Sequence, residues 1–289
     1  MIDAHCHAWR RWPYDRAVSD PDSYGSAESL LFEMDQADVQ GAAIACARIG
    51  GGAGGSGFAN EDNNKYVVQF ATSHPDRITA WVDIDCSWRP EYHTPGAAER
   101  LMREITDPCV TGFTHYCMKD NDGWMLTDDA DELFGVAAEN SLVASLSVGA
   151  SWVDDLSKLA ARHPSLPILI HHLGVPNTWN EANAILTLSE SDNIGIKISG
   201  FGYSHLWPSI FPYGGSKKWL LKLFQSFGPT RLFWGSDWPA SKNKLTYTQS
   251  IEMVERHLEF SSHEDLEAIL GGNLQYLLTY RSMPLVTSS

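Results

Sequence analysis

His5 and His7 close the apolar opening Ile2-Asp3-Ala4-His5-Cys6-His7-Ala8-Trp9, and the single residue between them sets what they can do. Strand side chains alternate faces, so both imidazoles point one way and Cys6 the other. Two imidazoles converging at one strand end suit a divalent cation or a proton-transfer site. Two later apolar runs end in groups of matching chemistry. Pro167-Ile168-Leu169-Ile170-His171-His172 ends in two histidines, and Leu232-Phe233-Trp234-Gly235-Ser236-Asp237 ends in an aspartate. Histidines beside one carboxylate can activate a water molecule, as acid and base or around a metal ion.

These groups meet only if the strands that carry them lie side by side with the same ends together. Apolar, β-branched runs of strand length recur at 42–49, 78–84, 110–117, 142–148, 167–173, 194–199 and 231–235. With the opening strand they make eight. Helical spacing covers 27–38, 61–73, 97–105, 130–139, 153–163, 181–189, 217–227 and 247–259. Alternating strands and helices favour a parallel sheet with right-handed crossovers, and 289 residues is the size of one closed (β/α)8 TIM barrel. No tract long enough to be a linker and no solenoid repeat interrupts the chain, so a single domain over 1–289 is expected. Active sites of such barrels lie at the C-terminal strand ends, where His5, His7, His172 and Asp237 all fall.

Charge and composition narrow the partners. A formal net charge of −15 disfavours nucleic acid and anionic membrane surfaces, which reward clustered Lys and Arg, but leaves an anionic small molecule open. No apolar run reaches membrane-spanning length, and residues 1–15 lack the order of a signal peptide. Five cysteines without a C-x-x-C pair suit reduced thiols, so a cytoplasmic location is expected, with homo-oligomerisation open.

The blocks Ile2-Asp3-Ala4-His5-Cys6-His7-Ala8-Trp9, His172-Leu173-Gly174, Lys197-Ile198-Ser199-Gly200, Gly235-Ser236-Asp237-Trp238-Pro239 and Ile269-Leu270-Gly271-Gly272-Asn273 together resemble the amidohydrolase superfamily. Within it the chain resembles the small TIM-barrel lactonases that hydrolyse pyrone-dicarboxylate, fuconolactone and sulfomuconolactone. The resemblance implies a hydrolase that opens a small sugar-acid or muconate-type lactone. Asp237 would take the proton of the attacking water and later deliver it to the leaving alkoxide, while His172 orients that water or donates to the carbonyl oxygen. His5 and His7, with Asp237 and His172, would hold one zinc or manganese ion; in a metal-free variant they bond water and substrate directly. The strand-four lysine and strand-five histidine of binuclear relatives are not evident, because the fourth strand offers His115 or the more distal Lys119 rather than a clean bridging lysine, and the fifth, 142–148, ends without histidine.

Two other readings of the same fold are a metal-dependent non-oxidative decarboxylase and a catalytically silent barrel that binds a metabolite. The missing strand-five histidine favours the hydrolase over the decarboxylase. Expected substrate-binding groups are Arg48, His115, Lys119, Lys197 and Trp207. Lys197 stands out because an ammonium inside an apolar run needs a partner. Thr114 stands where dicarboxylate-hydrolysing relatives carry arginine, which argues against a diacid. The glycine-rich stretch 51–57 is expected to be mobile at the mouth. Tyr203, Trp207, Phe211 and Tyr213 are expected to form an aromatic lid or wall, to which the segment Arg10-Arg11-Trp12-Pro13-Tyr14 adds.

Overall fold

β1 (Ile2–Cys6), β2 (Gly41–Ala45), β3 (Ile78–Asp83), β4 (Val110–Tyr116), β5 (Val143–Ser147), β6 (Ile168–Ile170), β7 (Ile194–Ile198) and β8 (Leu232–Trp234) stand side by side in chain order, each neighbouring pair parallel. This is a computed structural model that describes residues 1–284; residues 285–289 of the expected domain lie outside the described ones. The intervening helices are α1 (Ala27–Gln36), α2 (Asn63–Ser73), α3 (Ala97–Glu104), α4 (Asp128–Glu139), α5 (Val153–Arg162), α6 (Trp179–Thr187), α7 (Lys217–Phe227) and α8 (Tyr247–His257). The chain is therefore the expected (β/α)8 barrel. Two helices lie beyond the sequence expectation, α9 (His263–Glu267) and α10 (Asn273–Tyr280), because no further strand separates them to mark a repeat. None of the described helices is long and apolar enough to cross a membrane.

Local sequence explains the elements. Ser26, Thr127, Thr178 and Thr246 each accept a backbone N–H of the first helical turn and so start α1, α4, α6 and α8. In α1 the buried residues are Ala27, Leu30 and Met34, one face of a helix, and they pack between helix and sheet. Inside the barrel Ala43, Trp81, Val143, Leu169 and Phe233 fill the lumen, and Leu274 and Leu277 of α10 join them. Trp81 takes the space that Gly112 leaves, since a Cβ at Gly112 would stand 2.8 Å from the indole.

The first and last strands close the ring without a continuous ladder among the described residues. His7 N–H donates to the Trp238 carbonyl and Asp237 N–H donates to the His5 carbonyl, both at 2.7 Å. Gly235 permits this approach, because a Cβ there would lie 2.5 Å from the Cβ of His5. Asp3 clasps the same seam from beneath. It accepts the His5 and Ser236 N–H groups on Oδ1 at 2.9 and 3.0 Å, and the Ser236 and Tyr247 hydroxyls on Oδ2 at 2.6 and 3.0 Å. All four partners donate, so Asp3→Asn turns an NH2 toward donors. We expect a loss of about 2–3 kcal/mol, read by chemical denaturation, and an unchanged midpoint would contradict the clasp.

Candidate active site

At the C-terminal ends of β1, β6 and β8 and in the turns that follow them, His5, His7, His172 and Asp237 come to one point. The sixth strand is shorter than its apolar run implies. After Ile170 the backbone turns, with positive φ at His172, Leu173 and Val175, and His172 swings toward the first strand. Asp237 also has positive φ, at 54°. Such conformations strain residues other than glycine, and they aim these two side chains where a regular strand would not. The His5 ring lies 4.9 Å from that of His7 and 4.6 Å from that of His172.

Proton positions follow from the partners. His7 Nδ1 lies 2.7 Å from the Ala45 carbonyl, which can only accept, so neutral His7 presents a bare Nε2. That Nε2 stands 3.5 Å from Asp237 Oδ1, and His5 Nε2 stands 3.6 Å from the same oxygen. His5 Nε2 is buried without a hydrogen-bond partner. A lone pair and a carboxylate oxygen at this spacing leave a place for a donor or a cation. Two imidazole nitrogens and a carboxylate oxygen, all within 4.8 Å of one another, are a donor set that zinc or manganese accepts. His7, held from behind by a carbonyl, has the outer support usual for such a ligand.

Burial alone would raise the Asp237 carboxyl, but His172, His7 and the Tyr203 hydroxyl, 2.5 Å from Oδ2, outweigh it and hold the group below the usual carboxylate range. Burial pushes His172 down to about 4, so at neutral pH it is an uncharged imidazole, its Nδ1 3.0 Å from Ser199 Oγ. Burial, then Lys197, push both His5 and His171 well below their ordinary value.

A cavity of about 650 Å³ opens above these groups, with His7, His172 and Asp237 at its base and Trp12, Tyr14, Tyr24, Tyr116 and Tyr203 around it. Lys242 and Lys244 stand at its edge. Trp12 and Tyr14 thus join the wall as expected, and the glycine-rich stretch is what holds them. Gly57 N–H donates to the Pro13 carbonyl at 2.7 Å and Phe58 N–H to that of Trp12 at 2.9 Å. A Cβ on Gly57 would lie 2.5 Å from both the Pro13 carbonyl carbon and the Trp12 oxygen. The stretch expected to be mobile is instead a backbone brace.

Of the expected substrate-binding residues, none lines this cavity. Arg48 turns to the neighbouring strand, where its guanidinium pairs with buried Asp83 at 3.4 Å. His115 faces out of the barrel, since Gly112 faces the luminal Trp81 and alternation sends Tyr116 into the cavity. Lys119 is exposed beyond the end of β4. Lys197 is fully buried beneath the histidines, 3.1 Å from His5 Nδ1, 2.6 Å from Ser145 Oγ and 4.2 Å over the Trp81 ring. Its partners are these neutral groups, and burial pushes its ammonium well down. Trp207 is core, its indole N–H donating to the Phe201 carbonyl at 2.8 Å. Sequence reasoning missed Tyr116, Lys242 and Lys244 as cavity-lining residues. Continuing the period-two count through β4 would have found Tyr116.

Residues 2–273 match the family model described as Amidohydrolase. An L-fucono-1,5-lactonase from Burkholderia multivorans is 26% identical, over 94% of this chain and 93% of its own length. Among solved structures, an amidohydrolase from Burkholderia multivorans with bound zinc superposes with a TM-score of 0.74 at 20% identity, covering 98% of this chain and 99% of that one. A probable 2-pyrone-4,6-dicarboxylic acid hydrolase from Acinetobacter baumannii, with citric acid bound, gives 0.72 at 18% identity, covering 96% and 98%. At these identities the two structures establish the fold.

Proposed function

Because the chain belongs to the amidohydrolase family, we propose that this hydrolase opens the ring ester of a small hydroxylated sugar-acid lactone. The observation that carries the reading is one ionised carboxylate, Asp237, at the base of a cavity with ample room for a sugar ring and flanked by uncharged His172 and the Tyr203 hydroxyl. The name of the fuconolactonase relative supports the substrate class. Thr114, in place of an arginine, and aromatic walls with only two lysines support a neutral polyol ring over a diacid.

In the proposed reaction a water between Asp237 and the substrate gives its proton to Asp237 as its oxygen bonds the lactone carbonyl carbon. The tetrahedral adduct then collapses, the ring C–O bond breaks, and the proton returns from Asp237 to the departing alkoxide. The product hydroxy acid ionises and releases one proton at neutral pH. His172 faces the carbonyl oxygen and donates to it, with Ser199 fixing the ring. Tyr203 keeps Asp237 ionised and aimed. When a zinc or manganese ion is held by His5, His7 and Asp237, it supplies Lewis-acid polarisation and a more acidic water. The zinc-bound structural neighbour supports that occupancy. A cytoplasmic setting fits five cysteines that are all free.

A panel of aldonolactones followed by proton release, with and without added zinc or manganese, tests the reading. Stoichiometric acid from a 1,5-lactone supports it, whereas carbon dioxide from a carboxylated aromatic would transfer the protein to the lyases. Tyr203→Phe removes the shortest bond to Asp237. We expect kcat to fall roughly 10–100-fold and the acid limb of the rate profile to move upward, since a charge-assisted bond contributes about 1.5–3 kcal/mol. An unmoved limb would separate Tyr203 from Asp237.

A further inference from the structure

On the opposite face of β4 from the cavity, His93, His115 and Cys117 bring two imidazole nitrogens and a thiol sulfur within 4.8 Å of one another. His115 and Cys117 are two residues apart and so share the outer face, while Tyr116 between them faces the cavity. His93 comes from the loop between β3 and α3, where its own backbone has a positive φ of 52°.

The partners fix the protons. His115 Nδ1 lies 2.8 Å from the Ile84 carbonyl, which can only accept, so the hydrogen of that ring is on Nδ1. His93 Nδ1 lies 2.6 Å from Asp122 Oδ2, a carboxylate oxygen, which accepts. Both neutral rings therefore present bare Nε2 lone pairs, and these face each other at 3.2 Å. Two lone pairs at that distance repel unless something positive is shared between them. The edge of a tetrahedron built on zinc–nitrogen bonds of about 2.0–2.1 Å is about 3.3–3.4 Å, close to the spacing found. Each ring is also backed as metal-ligating histidines are, one by a carbonyl and the other by a carboxylate. Trp124 stacks on the His93 ring at 4.2 Å and fixes its plane.

We propose that His93 Nε2, His115 Nε2 and the Cys117 thiolate bind a borderline-soft divalent cation of the zinc class, separate from the active site, with solvent in the fourth position. The thiol proton leaves to solvent on binding. The ion clips the β3–α3 loop to the end of β4 and so fixes, from behind, the strand segment that presents Tyr116 to the cavity.

Cobalt titration of the full chain carrying His5→Ala, His7→Ala and Asp237→Asn leaves this cluster as the one intact three-ligand set among the described residues. One equivalent is expected to bind with a near-ultraviolet sulfur-to-cobalt charge-transfer band. Cys117→Ser removes the band, and His93→Ala weakens binding roughly tenfold or more. Zinc absorption fine structure on the unmutated chain needs no variant to fold, and a sulfur shell at about 2.3 Å is expected. Cobalt bound without the band, a band that survives Cys117→Ser, or no sulfur shell in zinc-loaded protein overturns the proposal and leaves a shared proton between the two imidazoles.

Discussion

Asp237→Asn is expected to lower kcat for lactone opening by at least roughly 10³-fold, about 4 kcal/mol of barrier, while the protein keeps its circular dichroism and melting temperature within a few degrees. Asparagine has the same shape, tolerates the positive φ found at this position, and still accepts the Tyr203 hydroxyl. What it cannot do is take a proton from water. Alanine would confound the result, because a Cβ-only residue removes the Tyr203 partner and leaves the left-handed backbone less supported. The comparison is of initial rates at saturating lactone, and a variant within tenfold of the parent would remove Asp237 from the role of base.

Acid should act on stability before it acts on turnover. Folded His172 titrates at about 4, whereas in the unfolded chain it does so near 6.5. As pH falls from about 6.5 toward 4 the unfolded state takes up a proton that the folded state refuses, so stability declines across that window, by about 3 kcal/mol for His172 alone. His5 and His171, also pushed down by burial, act in the same direction. Asp237, held below the usual carboxylate range, stays ionised throughout the window, so the rate per folded molecule holds across it. Thermal melts from pH 8 to 4, with a chelator present so that only protons compete, check the first part, and rate profiles check the second. Asp3, which burial raises to about 6, takes up its proton first in the folded state and offsets part of this decline, so a melting temperature that rises toward pH 4, or a rate that halves near pH 6.5, would contradict the buried neutral histidines.

His5, His7, His172 and Asp237, which converge beneath the cavity, were legible because alternation and strand termination are local properties. A His-x-His pair, a run ending in histidine and a run ending in aspartate can be read without knowing what lies beside them. The expected substrate ligands failed for reasons outside any one run. Arg48 is neutralised by Asp83, on the neighbouring strand and 35 residues away, a pairing that only the sheet reveals. His115 sits one step out of phase with Gly112 and Tyr116, and a bulge between β3 and β4 obscures the count. Lys119 lies past the point where β4 ends. Trp207 and Tyr203 belong to one aromatic stretch, and only packing decides that Tyr203 meets Asp237 while Trp207 enters the core. The glycines at 55 and 57 read as freedom in composition, yet their lack of a Cβ is what lets two backbones touch.

The laced seam between β1 and β8 ties the active site to the last stage of folding. His5 and Asp237 are separated by most of the chain, and the bonds that join their strands are the same bonds that aim them. Contacts of such long sequence separation form late, after the more local strand pairs have gathered. Refolding chains should therefore regain helical signal before any catalytic competence, with burst and lag seen in the same experiment. In the native state the His7 and Asp237 amides become a gauge of how often the ring springs open, exchanging with solvent at a rate set by the seam's own free energy.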